Sequence, residues 1–294
     1  MNWTWFASAT ICVWMMVCHS TVGDTLRVYH IGNSVTDTIR YAAFQKAAQL
    51  AGHTHIFGRH MIPGAPLSWI WEHSGSGFRE EPFGYYPKAL QGYEWDVLTL
   101  QPFDRLLEGS DDSDFNTAKR FIELALPKSP RLRVYIYSRW PRKNEDGSLD
   151  YEAKWLRKFT GGWDSSNETR DYFEQLVHRL RQEYPMLRNR LFVVPVADVM
   201  LELHRRMKRG AIRGYTDIGQ VYADGIHLND VGSYIVGCTF FATLYRQAPS
   251  RFSGEPYGVT DTELTRKIQD TVWQVVSKHP LAGVARAARV NDGR

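Results

Sequence analysis

The 294-residue sequence predicts an α/β protein, a three-layer α/β/α sandwich around a mainly parallel, five-stranded sheet. Three observations predict it. Short apolar runs of strand length recur along the chain. Segments with helical apolar spacing lie between them. Glycine or proline closes most of those segments.

The elements follow in chain order. Leu26–Ile31, Asp96–Leu100, Arg133–Tyr137 and Leu191–Val196 are short runs rich in Val, Ile, Leu and Tyr, the pattern of strands buried on both faces. Thr54–Gly58 is a weaker fifth strand. Ile39–Leu50 has helical spacing and stops before Gly52, a C-terminal stop. Asp114–Leu126 ends at Pro127, and Asp171–Tyr184 ends at Pro185. Gly232–Leu244 has the apolar density of a buried helix. Leu264, Ile268, Val272 and Val275 make one stripe on a helix that ends before Pro280. The polar segment from Arg139 to Ser166 reads as an insertion or lid-like loop. No repeat or low-complexity linker interrupts the chain, so one domain is expected from Asp24 to Pro280, with a frayed tail over 281–294.

Composition is that of an ordinary globular protein. The net charge of +4 is small, and charges of both signs are interspersed, which argues against a nucleic-acid partner. Met1–Gly23 contains no Asp, Glu, Lys or Arg, and Phe6–Cys18 is mostly apolar. That stretch reads as a secretory signal peptide lacking a basic start, cleaved near Ser20–Gly23. An uncleaved anchor or a misplaced start is the alternative. A signal implies a secreted or periplasmic protein with no stable membrane partner once it is removed. It also leaves Cys238 as the one cysteine of the mature chain, a core residue that forms no disulfide within the chain. His30, His53, His55 and His60 show no ligand spacing, so neither a metal nor another cofactor is expected.

The chemistry concentrates at two places. Ser34 follows the first strand, in Gly32-Asn-Ser, where ligands of a doubly wound sheet bind. A serine there also reads as a helix N-cap. Asp224 stands three residues before His227, in Tyr222-Ala-Asp-Gly-Ile-His. A carboxylate so placed can hold one imidazole nitrogen and leave the other to take a proton from a hydroxyl. A turn with an incidental histidine is the plain alternative. Gly64, after the second strand, and Gln101, after the third, could donate hydrogen bonds to a developing oxyanion. They also read as a Pro-Gly turn and a polar strand end.

Together these segments resemble the SGNH (GDSL-like) hydrolase family over most of residues 26–245. Asp-Gly-Ile-His-Leu-Asn is the most specific part. The resemblance implies a flavodoxin-like sandwich and metal-free ester hydrolysis through an acyl-enzyme. It makes Ser34 the nucleophile, His227 the base and Asp224 its orienter, with the Ser34 N–H, Gly64 and Gln101 as the oxyanion hole. Two departures mark a divergent branch. Gly-Asn-Ser replaces the usual Gly-Asp-Ser, and Leu100-Gln-Pro-Phe-Asp104 replaces Gly-x-Asn-Asp.

The substrate expectation is an ester-bearing small molecule or an acetylated glycan, with O-deacetylation of a carbohydrate as the reaction. Trp69, Trp71, Trp140, Trp155 and Trp163 lie where rings could stack on sugars, or could simply pack the core. Asn33, Arg139 and Trp140 are the candidate substrate contacts. The alternatives are a lipase or short-chain esterase, and a non-catalytic glycan-binding protein on the same scaffold.

Overall fold

A computed structural model describes residues 24–162 and 168–284. The signal-peptide assignment (1–23) and Trp163 lie outside them. Among the described residues, one sheet has six strands: β1 (Thr25–Gly32), β2 (Thr54–Met61), β3 (Phe78–Arg79), β4 (Val97–Leu100), β5 (Arg133–Tyr137) and β6 (Leu191–Val194), in the order β3-β2-β1-β4-β5-β6. All neighbours are parallel except β2 and β3. The sheet therefore has one strand more than the five expected. The extra strand is a two-residue, exposed, antiparallel edge, too short to leave a sequence pattern.

Nine helices flank the sheet: α1 (Tyr41–Leu50), α2 (Leu67–Glu72), α3 (Tyr86–Gly92), α4 (Asp114–Ala125), α5 (Tyr151–Leu156), α6 (Arg170–Glu183), α7 (Val196–Lys208), α8 (Asp230–Tyr245) and α9 (Thr262–Val276), counted among the described residues. Capping explains several starts. Ser113, Asp150, Thr169, Asn229 and Asp261 each accept a backbone N–H from the first turn of α4, α5, α6, α8 and α9. α8 is buried on nearly every side, as its all-round apolar sequence demands. Cys238 sits there, free and buried, with its thiol pKa pushed up by that burial. Among the described residues no helix is long and apolar enough to cross a membrane.

Three expectations are corrected. The sixth strand stops at Val194, because Pro195 breaks the ladder and Val196 already belongs to α7. The segment from Arg139 is no open lid over its described part, since α5 buries Tyr151 and Trp155 in the core. Packing also continues past Pro280. Leu281, Ala282 and Val284 are buried, and the N–H of Val193 on the edge strand β6 donates to the Leu281 carbonyl at 2.9 Å. An edge N–H shielded from water needs such an acceptor.

The topology fixes where chemistry can occur. β1 and β4 are neighbours, and the chain moves outward from them in both directions. Their C-terminal ends flank the crevice of a topological switch point. Ser34 lies two residues beyond β1, and Gln101 directly follows β4.

Candidate active site

Ser34 occupies a tight turn. Thr36 N–H donates to the Asn33 carbonyl at 2.9 Å, and Val35 N–H to Asn33 Oδ1 at 3.0 Å. A 3-10 turn over Thr36–Ile39 follows, and Arg40, in the left-handed region at φ 52°, separates it from α1. Ser34 is therefore not the N-cap of a regular helix. Gly32 is required where β1 enters this turn. A Cβ there would stand 2.0 Å from Thr36 Oγ1 and 2.8 Å from Gln101 Cβ.

His227 reaches the same turn from the far end of the chain. Its Nε2 lies 2.9 Å from Ser34 Oγ, and its Nδ1 lies 2.7 Å from Asp224 Oδ2. Asp224 Oδ1 accepts the N–H groups of Ile226 and His227, both at 2.7 Å. Partial burial pushes the Asp224 pKa up. The backbone bond from Ile226 and the bonds and charge of His227 outweigh it and hold the carboxyl at about 2. A carboxylate acceptor on Nδ1 selects the tautomer whose Nε2 lone pair faces the serine hydroxyl.

The histidine turn is braced from outside. Ala223 N–H donates to the His227 carbonyl at 2.8 Å, closing the turn on itself. Trp140 Nε1 donates to the Ile226 carbonyl at 2.7 Å, Lys143 N–H to Gly225 O at 2.8 Å, and Tyr222 OH to Pro141 O at 2.7 Å. The segment after β5 thus clamps the turn that carries Asp224 and His227. Asn229 adds its Oδ1 as the α8 cap and donates from Nδ2 to Gln220 O at 2.9 Å. Of these, only the Asn229 cap had a sequence signal, an asparagine ahead of a helix. The three bonds from the segment after β5 join residues about eighty positions apart, beyond any local pattern.

The proposed oxyanion donors fare differently. Gly64 lies beside the serine turn, because Met61 pairs with Gly32 in register and Asn33 Nδ2 donates to Ala65 O at 3.1 Å. Its φ of +69° is a conformation that suits glycine. Gln101 is buried next to Gly32, but its Nε2 donates to the Pro102 carbonyl at 2.5 Å while its Oε1 has no protein partner.

The three candidate substrate contacts are corrected. Trp140 is 0% exposed, so it offers no face to a ligand, and its indole N–H is spent on the histidine turn. Asn33 is buried with both amide atoms engaged, linking the serine turn to the Gly64 loop. Arg139 is 1% exposed and lies over the Phe103 ring at 4.6 Å, bonded to Asp104 at 3.1 Å and Glu168 at 2.7 Å. Arg142 bonds the same two carboxylates. Burial raises the Glu168 pKa, but the two guanidinium groups outweigh it and bring it below the usual value. The network ties the segment after β4 to that after β5.

Among the described residues no group of three or more His, Cys, Asp or Glu side chains is arranged to hold a metal ion. The sequence matches no protein-family model and no curated protein. Solved structures with a similar course exist. A DUF4886 family protein from Bacteroides uniformis aligns with a TM-score of 0.58 at 16% identity, covering 87% of this chain and 96% of that one. It shares the fold. A family 3 carbohydrate esterase from Talaromyces cellulolyticus aligns at 0.45 with 11% identity, over 80% of this chain and all (100%) of that one. A Clostridium thermocellum enzyme of the same esterase family aligns at 0.43 with 11% identity, over 74% and 94%. These two similarities are too distant to bear on the reaction.

Proposed function

We propose that this chain is an SGNH-type serine esterase of flavodoxin-like architecture that removes an O-acetyl group from a carbohydrate. The observation that carries the reading is the continuous relay Asp224–His227–Ser34, with contacts of 2.7 and 2.9 Å. A structural role explains it poorly. His227 and Asp224 are side chains 44% and 55% exposed, and exposed polar pairs contribute little stability.

The mechanism follows acyl transfer. Ser34 Oγ attacks the ester carbonyl as its proton passes to His227 Nε2. Asp224 holds the Nδ1–H and stabilises the imidazolium. The tetrahedral oxyanion is received by the N–H groups of Ser34 and Gly64. Its collapse breaks the bond to the sugar oxygen, which leaves with the proton from His227. Water, deprotonated by His227, then attacks the acyl-serine, releasing acetate and restoring the hydroxyl. Gln101 Nε2 spends one N–H on Pro102 O and keeps a second, which makes it the third donor of this proposed hole. Export under the signal read in residues 1–23 belongs to the same proposal, since acetylated glycans lie outside cells.

The test is p-nitrophenyl acetate hydrolysis by the wild type and by Ser34→Ala. The reading requires a rate that depends on Ser34. Equal rates from the two proteins would remove it.

A further inference from the structure

The site as described holds an ester group but nothing for the body of the substrate. Five tryptophans stood as stacking candidates, and burial sorts those that are described. Trp140 and Trp155 are buried, their ring N–H groups donating to Ile226 O and to Asp198 Oδ1. Trp71 packs on Tyr86 and Phe121, with ring centroids 5.2 and 5.1 Å away. Trp69 alone of these four is exposed, at 46%.

Trp69 is also held in place. The His73 ring stacks on it at 3.8 Å and 16°, and His73 Nδ1 donates to the Trp69 carbonyl at 2.9 Å. The imidazole covers one indole face, and the residue as a whole stays 46% exposed. A fixed ring loses less rotamer freedom on binding than a free one.

The stretch of chain that leads into the ring's helix is tied to the serine turn. Ile62 N–H donates to Gly32 O at 3.3 Å, and Asn33 Nδ2 donates to Ala65 O. Ala65 stands four residues before Trp69, so their Cα atoms are at most about 14 Å apart. The helical course from Leu67 shortens that distance. Arg105 Nε donates to Ser68 Oγ at 3.2 Å, tying α2 to the segment after β4.

We propose that Trp69, backed by His73, is the stacking platform for a pyranose ring of the glycan whose ester faces Ser34. The proposal rests on the esterase reading above. A pyranose ring presents a C–H face to the indole while its hydroxyls stay in water, which suits one flat, exposed aromatic surface. A long acyl chain needs a continuous apolar trough. Of the other exposed large apolar residues described, Leu50 and Met186 lie at the opposite end of the sheet, ahead of β2 and β6, and Leu156 lies on α5; Phe78 pairs with Met61 at the near end, with the Arg59 guanidinium 5.8 Å from its ring.

The experiment uses the full chain carrying Ser34→Ala. Xylohexaose, cellohexaose and chitohexaose are titrated at millimolar concentration, with the Trp69 indole N–H resonance reporting contact and titration calorimetry giving Kd for every variant. At least one must shift that resonance. Adding Trp69→Ala must weaken its binding about 10-fold, and Trp69→Phe must restore most of it. Thermal melts of the variants verify folding. An unchanged Kd in Trp69→Ala, or no shift with any of the three sugars, overturns the platform. So does wild-type activity that rises with acyl length, from p-nitrophenyl acetate to octanoate, and loses that rise in Trp69→Ala. The Ser34 dependence of p-nitrophenyl acetate hydrolysis is measured separately. Ser34-dependent hydrolysis without a Trp69 effect sinks the platform alone. Trp69-dependent sugar binding without Ser34-dependent hydrolysis sinks the esterase reading instead.

Discussion

Asp224 has two tasks at the scale of the residue. One oxygen holds the backbone of its own turn, and the other holds His227 Nδ1–H. Asn in its place keeps its oxygen for the two backbone N–H groups and turns its amide toward the ring. That forces the lone pair onto Nδ1 and the proton onto Nε2, which can then no longer accept from Ser34. Steady-state kinetics of Asp224→Asn on p-nitrophenyl acetate should therefore show kcat down by about 10³-fold or more, with KM little changed. The low pKa of Asp224 has a stability consequence as well. Its contribution, small because the side chain is 55% exposed, is present above about pH 4, the unfolded value, and is lost as pH falls toward about 2. Gly64 makes a second residue-scale case. Alanine at its φ of +69° costs about 1–2 kcal/mol of strain. Gly64→Ala should lower Tm and kcat together in melts and assays.

The element that matters most is the segment after β5. Trp140→Phe keeps the packing and deletes the bond to Ile226 O. The loss of one such bond costs about 1 kcal/mol, and loosening the histidine turn should lower kcat about 10-fold through misplacement. A thermal melt and a kcat measurement check both. The same element shows how far a sequence can be read. β5 was legible to the residue because Arg133–Tyr137 is a pure apolar run after its first position. Ser34, Asp224 and His227, which the fold brings into contact, were legible as candidates because each sits in a short, local motif. Whether Trp140 faces a ligand or the core is decided by residues 222–227, about eighty positions away. Burial set by such distant partners leaves no trace in local spacing. The strand at Leu191 reads two residues too long for a different reason. Val196 extends the apolar run of β6, and only the proline between them marks the change of element.

For the whole molecule, the six-stranded sheet brings residues 34 and 227 into contact through β1 and the turn before α8. One contiguous apolar core runs from Leu26 to Val284. Within it, Asp114 at the start of α4 is a titratable weak point. Burial pushes its pKa up to about 7, although its bond from Tyr172 OH and the nearby Arg139 and Arg105 pull the other way. The folded state thus binds more protons than the unfolded state between about pH 4 and 7. Stability falls as pH rises through that window. Asp114→Asn cannot ionise, so its Tm relative to the wild type should climb across the same window in a pH series of melts. A constant difference would show that Asp114 does not titrate there.

All of this rests on Ser34 being an activated nucleophile. The direct measurement is mass spectrometry after treatment with a fluorophosphonate, on the wild type and on His227→Ala. The account predicts one stoichiometric adduct, mapped to the peptide containing Ser34, and its loss in His227→Ala. No adduct on Ser34, or the same labelling without His227, would contradict it.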